Sequence, residues 1–434
     1  MLIKSGNTNL NRVLVLALDG FPHSLLMKRL RIRPASTWHQ LLDEGSIYSI
    51  RSSRPEVSSV AWACYLTGVN PGEHGLFGFV DRTLNPLKLY FPNGASIRVP
   101  TILEKVDEAG GTVVSINFPA TFPPKPLRGL IVGGFLGVRL ETNVQPLSWL
   151  EKLNRHRYVI DADTSEAYHD REKFYNQLTT ILESRFTAAL EACREFDWTL
   201  FQLHLMETDR LFHFFWGDKE YEERFNALLD RVDEIVETFS GIARKKDASF
   251  VVLSDHGFTR AKRIFFINAF LRENGYLEFD RNSTPGLSSI DPRSRAYALP
   301  PARIFLNLTG REPNGRIKPG AEYDQERTRL SALLRDVKDP VDGLPVFDEV
   351  VTRENLYSGP FIDNAADLIA FPRRGIDIKA DFNAISLFET PSTLIGTHTY
   401  DDALFYVRGD SPDWNEKEGD IILAGRHVKK LAGI

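Results

Sequence analysis

Apolar residues along the chain fall into short continuous runs separated by longer amphipathic stretches, the alternation expected of buried strands and the helices that cover them. Val13 to Leu18, VLVLAL, is an unbroken β-branched and leucine run that ends at Asp19-Gly20. It reads as a central parallel strand whose acidic successor leaves at the carboxyl end, where open α/β sheets place ligands. A helix-like segment ending at Leu41 to Ser46 follows. Pro100 to Pro119 repeats the grammar, with Pro at a helix start, a Gly-Gly stop and a strand over Thr112 to Asn117.

Glu172 to Phe196 is patterned as a long amphipathic helix, Trp198 to Met206 as a strand, and Tyr221 to Ser240 as a helix with Leu228, Leu229, Val232, Ile235, Val236 and Phe239 along one side. Ser249 to Leu253 is a further buried strand, followed at once by Ser254-Asp255-His256-Gly257. Arg303 to Leu308, Ala366 to Phe371 and Ala403 to Val407 read as later strands, and Asp324 to Arg335 as a helix. Thr121 to about Arg155 is rich in Pro and Gly without clear periodicity, and is expected as loops and short strands over the sheet edge. Asn282 to Arg295 is expected as a mobile loop. The fold class is therefore α/β: a layered sandwich with a mostly parallel central sheet and helices on both faces.

Composition narrows the function more than the fold. The 434 residues are 42% hydrophobic and 26% charged, with a formal net charge of -5. There is no basic field to hold a nucleic acid polymer by its backbone. Cys64 and Cys193 are too few for a disulfide framework or a thiolate zinc site. The first residues lack a signal-peptide pattern and the run at Val13 is too short to span a bilayer, so a cytoplasmic protein with no membrane partner is expected. A single domain over 10–434 is expected, with 121–170 and 282–355 as inserted segments that could cap it.

Candidate chemistry is concentrated in Arg54 to Gly75, RPEVSSVAWACYLTGVNPGEHG. Ser58 and Ser59 open an apolar run closed by Thr67-Gly68, which reads as a helix carrying a hydroxyl in its first turn. Helix starts stabilise anions, but serine is also a common N-cap, and this window alone favours the capping role. Metal-type residues stand at or after strand ends in four other places: Asp19, the pair Asp209 and His213, the pair Asp255 and His256, and His398. Asp209 and His213 are spaced i, i+4, so one helix face presents both. Each has an ordinary reading as a cap, a turn or a surface group. Together they are the carboxylates and imidazoles that suffice for two divalent ions, and ions about 3.5 to 4 Å apart can clamp the oxygens of a phosphoryl displacement.

Five segments carry a resemblance: VLALDGF (Val15 to Phe21), PEVSSVAWACYLTGVNPGEHGLFGF (Pro55 to Phe79), METDRLFHFFW (Met206 to Trp216), VVLSDHGF (Val251 to Phe258) and GTHTYDD (Gly396 to Asp402). In this order, over nearly the whole chain, they resemble the alkaline phosphatase superfamily, in the branch of type I phosphodiesterases and nucleotide pyrophosphatases. The resemblance implies a phosphohydrolase with Ser58 as nucleophile, passing through a phosphoseryl-type intermediate. Asp209, His213 and His398 would hold one ion; Asp19, Asp255 and His256, with Ser58, the other. Zinc suits this set best and manganese is compatible. The implied substrate is a small phosphorylated molecule, nucleotide-like or another phosphodiester. A phosphomonoesterase, or a phosphonate hydrolase or phosphotransferase on the same core, is the alternative, and a catalytically silent homologue the contrasting class.

The chain departs from the family where nucleotide pyrophosphatases carry a phosphoryl-binding asparagine, having Leu76, Phe77, Gly78 and Phe79 after His74-Gly75. Phe77 and Phe79 read as core residues before a hydrophobic shelf, and His74 as a residue that fixes a turn. Arg210 and Arg311 are candidates to grip phosphate, with a surface ion pair as the favoured role of each. Cys64 lacks the neighbours of a sulfatase nucleophile.

Overall fold

The computed structural model describes residues 10–32, 37–414 and 418–434. It divides into two compact units, the first formed by residues up to Val69, Asn93–Phe258 and His398–Ile434, the second by Asn70–Pro92 and Thr259–Thr397. No helix among the described residues is long and apolar enough to cross a membrane.

The first unit is built on an eight-stranded sheet. Its strands are β1 (Val13–Leu18), β2 (Ser46–Ile50), β3 (Val113–Phe118), β4 (Gly129–Gly133), β5 (Val144–Gln145), β6 (Leu200–Leu205), β7 (Ser249–Leu253) and β8 (Ala403–Arg408), in the spatial order β2-β8-β7-β1-β6-β3-β4-β5. The five strands from β7 to β4 run parallel, and β8 and β5 join them antiparallel. Every residue of β1, β3 and β6 is buried, as strands covered on both faces require. The stretch after Thr121 departs from expectation. Instead of lying over the sheet edge it extends the sheet through β4 and β5. Only three apolar residues, Leu130 to Val132, stand between the glycines that bound β4, too short a run to declare a strand.

Helices α1 (Ser58–Thr67), α2 (Ile102–Glu108) and α6 (Ile421–Ala432) pack together, while α3 (Arg171–Glu195), α4 (Glu207–Phe215) and α5 (Glu222–Lys245) form a second layer. The six apolar positions read along one side of Tyr221 to Ser240 are all buried. α1 is buried at all ten positions. It ends at Gly68, whose left-handed φ of 69° returns the amide to the Cys64 carbonyl, as a helix C-cap does. Arg426 Nε donates to the Gly68 carbonyl at 2.7 Å and Lys429 Nζ to that of Thr67 at 2.5 Å, placing two cations at the negative end of the helix. α6 approaches α1 this closely because residue 425 is glycine. A Cβ there would stand 2.1 Å from the Tyr65 carbonyl oxygen.

The second unit has its own core, in which Phe77, Ile304, Leu330 and Leu368 are buried. Its main sheet is antiparallel, with Ala296–Leu299, Arg303–Leu306, Leu368–Pro372 and Phe347–Thr352 in that order, and helix Ala321–Arg335 packs on it. The strand expected near Ala366 to Phe371 belongs to this sheet. Residues 121–170 lie in the first unit and 282–355 in the second.

Gly425→Ala must force α6 away from α1. We expect a loss of about 1–3 kcal/mol of stability, the usual effect of overpacking, measured by chemical denaturation. An unchanged midpoint would show that the two helices do not need this contact.

Candidate active site

The parallel strands end level with one another. Leu18 pairs with Leu205 and Ala17 with Leu253, so the residues that follow β1, β6 and β7 leave along one edge of the sheet. Asp19 follows β1, Asp255 and His256 follow β7, and α4 after β6 carries Asp209 and His213. His398 stands a few residues before β8. All the residues singled out from the sequence as nucleophile or ligands therefore belong to the first unit, and they form two adjoining groups.

In the first group the Ser58 hydroxyl lies 3.2 Å from Asp19 Oδ1 and 3.3 Å from His256 Nε2. His256 Nε2 is also 3.6 Å from Asp19 Oδ1 and 3.4 Å from Asp255 Oδ2. In the second, His398 Nε2 lies 3.0 Å from His213 Nε2 and 3.2 Å from Asp209 Oδ1, and the His213 and Asp209 atoms are 3.3 Å apart. Within each set of three carboxylate and imidazole ligands the ligand atoms lie within 4.8 Å of one another. The rings of His256 and His398 stack at 3.7 Å between centroids, so the two groups are neighbours.

Ser58 is not a cap. Val57 holds the cap position with extended backbone, and no side chain caps the helix. The Ser58 and Ser59 N–H groups are thereby left for an anion, that of Val60 donating to the Val57 carbonyl at 2.8 Å, and the Ser58 hydroxyl turns to the acidic cluster. Ser59 is buried with its hydroxyl unpartnered.

The hydrogen bonds decide which nitrogens face inward. His398 Nδ1 lies 2.9 Å from the Glu56 carbonyl and His256 Nδ1 3.0 Å from that of Gly257. A carbonyl only accepts, so each Nδ1 carries a proton and a neutral ring turns its Nε2 lone pair inward. This is how metal-bound histidines are oriented. Each group thus assembles acceptors within van der Waals distance of one another, an arrangement that a cation relieves. The donor set, carboxylate oxygen and imidazole nitrogen, fits divalent ions of the zinc and manganese kind.

Charge follows the same geometry. Burial pushes the Asp255 carboxyl well above its ordinary range, reinforced by the charge of nearby Asp19. Burial acts the same way on Asp209 and Asp19, but histidine partners outweigh it: the His213 charge holds Asp209 well below the usual range, and the His204 hydrogen bond lowers Asp19. His256 is driven down to about 3, by burial and by the neighbouring His398. Burial also opposes a charge on His398, yet the adjacent Asp209 carboxylate raises it overall.

Several contributors were not singled out in the sequence. The His204 and Trp62 ring nitrogens both reach Asp19 Oδ2, and the Thr208 hydroxyl donates to the Asp19 carbonyl at 2.7 Å. Gly20 N donates to Asp255 Oδ1 at 3.0 Å, through a turn at φ 67° where a Cβ would press on Phe258 and His256. The signal for His204 was a histidine inside the mostly apolar strand Trp198 to Met206. Asn117, the last residue but one of β3, stands at φ 62°, buried, with both amide atoms unpartnered.

Neither candidate arginine is a surface ion pair. Arg210 donates to Asp209 Oδ2 at 3.0 Å and grips Asp161 with two nitrogens at 3.2 and 2.5 Å. Arg311, in the second unit, pairs with the buried carboxylates of Asp367 and Glu312. His74 is buried and its Nδ1 accepts from Leu76 N at 3.2 Å, which fixes the turn; burial lowers it to about 3. Phe77 is buried against Tyr357, and Phe79 packs on Phe91. Cys64 and Cys193 are both buried, and neither is in a disulfide.

An acid whose pKa is higher folded than unfolded costs stability once pH passes its unfolded value, and Asp255 is such a group. Stability of the chelated protein should therefore fall as pH rises above the ordinary carboxylate range. Asp255→Asn should flatten that dependence and raise stability near neutrality. Thermal unfolding in chelator checks this; an Asn variant no more stable than wild type would contradict it.

A model of the type I phosphodiesterase / nucleotide pyrophosphatase family matches residues 13–401. No curated protein sequence matches the chain. Among solved structures, phosphonoacetate hydrolase from Sinorhizobium meliloti in complex with phosphonoformate is similar at a TM-score of 0.68 and 15% identity, covering 98% of this chain and 97% of that one. Murine ectonucleotide pyrophosphatase / phosphodiesterase 5 is similar at a TM-score of 0.54 and 14% identity, covering 98% and 96%. An inactive variant of the murine protein in complex with AMP aligns at a TM-score of 0.55 and 15% identity, again covering 98% and 96%. The fold is thus alkaline phosphatase-like, and the family indicates a phosphoester hydrolase of a divalent-metal-dependent kind. This chain belongs to the type I phosphodiesterase / nucleotide pyrophosphatase family of the alkaline phosphatase superfamily.

Proposed function

We propose that the protein hydrolyses a small phosphodiester or nucleotide-type pyrophosphate, with Ser58 as nucleophile and two divalent ions, zinc by preference. The observation that carries this is the Ser58 hydroxyl in the uncapped first turn of α1, within 3.3 Å of both Asp19 and His256. Asp209, His213 and His398 would hold one ion and Asp19, Asp255 and His256 the other. Bound ions supply the positive charge that favours an ionised serine hydroxyl and offsets charge on the phosphoryl oxygens.

Ser58 Oγ forms a bond to phosphorus as the bond to the leaving oxygen breaks. Water then displaces Ser58, and two inversions give net retention at phosphorus. The N–H groups of Ser58 and Ser59 at the start of α1 face the anion throughout. Zinc is favoured by the mixture of imidazole nitrogens and singly presented carboxylate oxygens. A diester is favoured because the Arg210 guanidinium is already committed to Asp209 and Asp161, and so is not available to meet the second charge of a monoester. The phosphonate bound to one structural relative and the AMP bound to another are both small phosphorylated ligands, consistent with a substrate of that size.

The test is Ser58→Ala assayed on paired chromogenic diester and monoester substrates, with metal content measured alongside. Turnover should fall about a thousandfold or more, as loss of a covalent nucleophile does, while two equivalents of metal remain. Undiminished turnover overturns the role of Ser58, and an order-of-magnitude preference for monoester overturns the diester reading.

A further inference from the structure

Asp19 is held unlike an ordinary exposed ligand. Its Oδ2 accepts from His204 Nε2 at 2.7 Å and from Trp62 Nε1 at 2.9 Å. All three side chains are fully buried. Two N–H donors on one oxygen leave only Oδ1 facing Ser58 and His256. The donors are themselves locked: the His204 ring meets the Trp62 indole edge-on at 5.2 Å, and Phe118 packs on both, at 5.6 Å from His204 and 5.2 Å from Trp62. His204 Nδ1 has no partner, the arrangement of a ring carrying its single proton at Nε2. The backbone of Asp19 is fixed as well, its N–H to the Leu205 carbonyl at 3.1 Å and its carbonyl to Thr208.

Trp62 lies four residues after Ser58, one turn further along α1. One helix therefore carries both the hydroxyl beside Asp19 Oδ1 and the indole that occupies Asp19 Oδ2. A shift of α1 along its axis cannot move the hydroxyl without breaking the indole bond.

We propose that His204 and Trp62 are positioning residues that restrict Asp19 to binding a metal through Oδ1 alone and set the register of Ser58 against that metal. The inference rests on the two-ion reading. It assigns to β6 and α1 a task that the ligand groups cannot perform: with either donor lost, Asp19 Oδ2 is held by a single bond and can turn to chelate beside Oδ1, raising the coordination number. Donors behind a ligand commonly change metal affinity about 10–100-fold.

The experiment compares wild type with Trp62→Phe, His204→Leu and His204→Gln. Zinc affinity at each site is read by competition with a chromophoric chelator, and coordination by the visible spectrum of the cobalt-substituted protein. Trp62→Phe and His204→Leu should each weaken one of the two ions about 10–100-fold, leave the other unchanged, and reduce the cobalt absorption as coordination rises above four. His204→Gln, which keeps an N–H near the position of Nε2, should restore most of both signals. A merely structural role would lower the unfolding midpoint without selecting one ion and without rescue by Gln. If His204→Leu does not fold, Trp62→Phe and His204→Gln decide the question. Wild-type affinities and spectrum in Trp62→Phe and in the folded His204 variants overturn this inference while leaving the two-ion reading intact. A wild-type protein that takes up no ion overturns both.

Discussion

Three carboxylates are buried together at the carboxyl edge of the main sheet, and their mutual repulsion is the constraint on which the rest of the first unit depends. Two like charges 4 Å apart interact by about 4 kcal/mol even at an effective dielectric constant of 20. Asp19, Asp209 and Asp255 are each at most 2% exposed, so water does little to screen them. The two imidazoles between the groups do not resolve the conflict, because His256 and His398 spend their N–H groups on backbone carbonyls and turn lone pairs toward the acids. The surplus of acceptors that makes the edge unfavourable alone is what makes it selective for cations.

Such an edge persists only if the scaffold denies it room to relax. Level strand ends prevent Asp19 and Asp255 from moving apart, since each follows a strand hydrogen-bonded to its neighbour. The nucleophile helix is fixed at its far end by Gly68 and by the cations of α6, and along its length by the close approach at Gly425. Burial of all ten residues of α1 follows from this. A helix that must hold a hydroxyl against a rigid cluster cannot have a solvent face to slide along.

The parts of this arrangement set by local sequence were readable from it. VLVLAL before Asp19-Gly20 and SFVVL before Ser254-Asp255-His256-Gly257 announce strands by apolar continuity and ligands by the abrupt change that follows. Asp209 and His213 announce a shared helix face by their spacing. Pairing across strands was not legible. The bond from His204 to Asp19 depends on β6 lying beside β1 in one register, and the clamp of Asp161 on Arg210 joins residues 49 apart in the chain. β4 was hidden because its apolar run is brief and bounded by glycine. The second unit was hidden because it is assembled from two segments, 70–92 and 259–397, and only long-range contacts define it. Ser58 was misjudged locally for a related reason: a serine at a helix start looks like a cap until the acids that draw it inward are in view.

The donors behind the ligands also explain how the edge keeps its negative charge. A guanidinium beside Asp209 would by itself neutralise the ligand and compete with an ion, but Arg210 is paired through two nitrogens with Asp161, so the pair adds no net charge. Asp19 is held instead by an indole and an imidazole N–H, which orient without neutralising. Different chemistry thus gives the same electrostatic result in both groups: one carboxylate oxygen is immobilised, the other is presented, and the field that draws a divalent ion is left undiminished. A lone lysine or arginine at position 62 or 204 would fix Asp19 equally well in space and forfeit that field. Neutral donors are therefore the physical requirement at these positions, and aromatic packing around them is what lets neutral groups hold a charged one still.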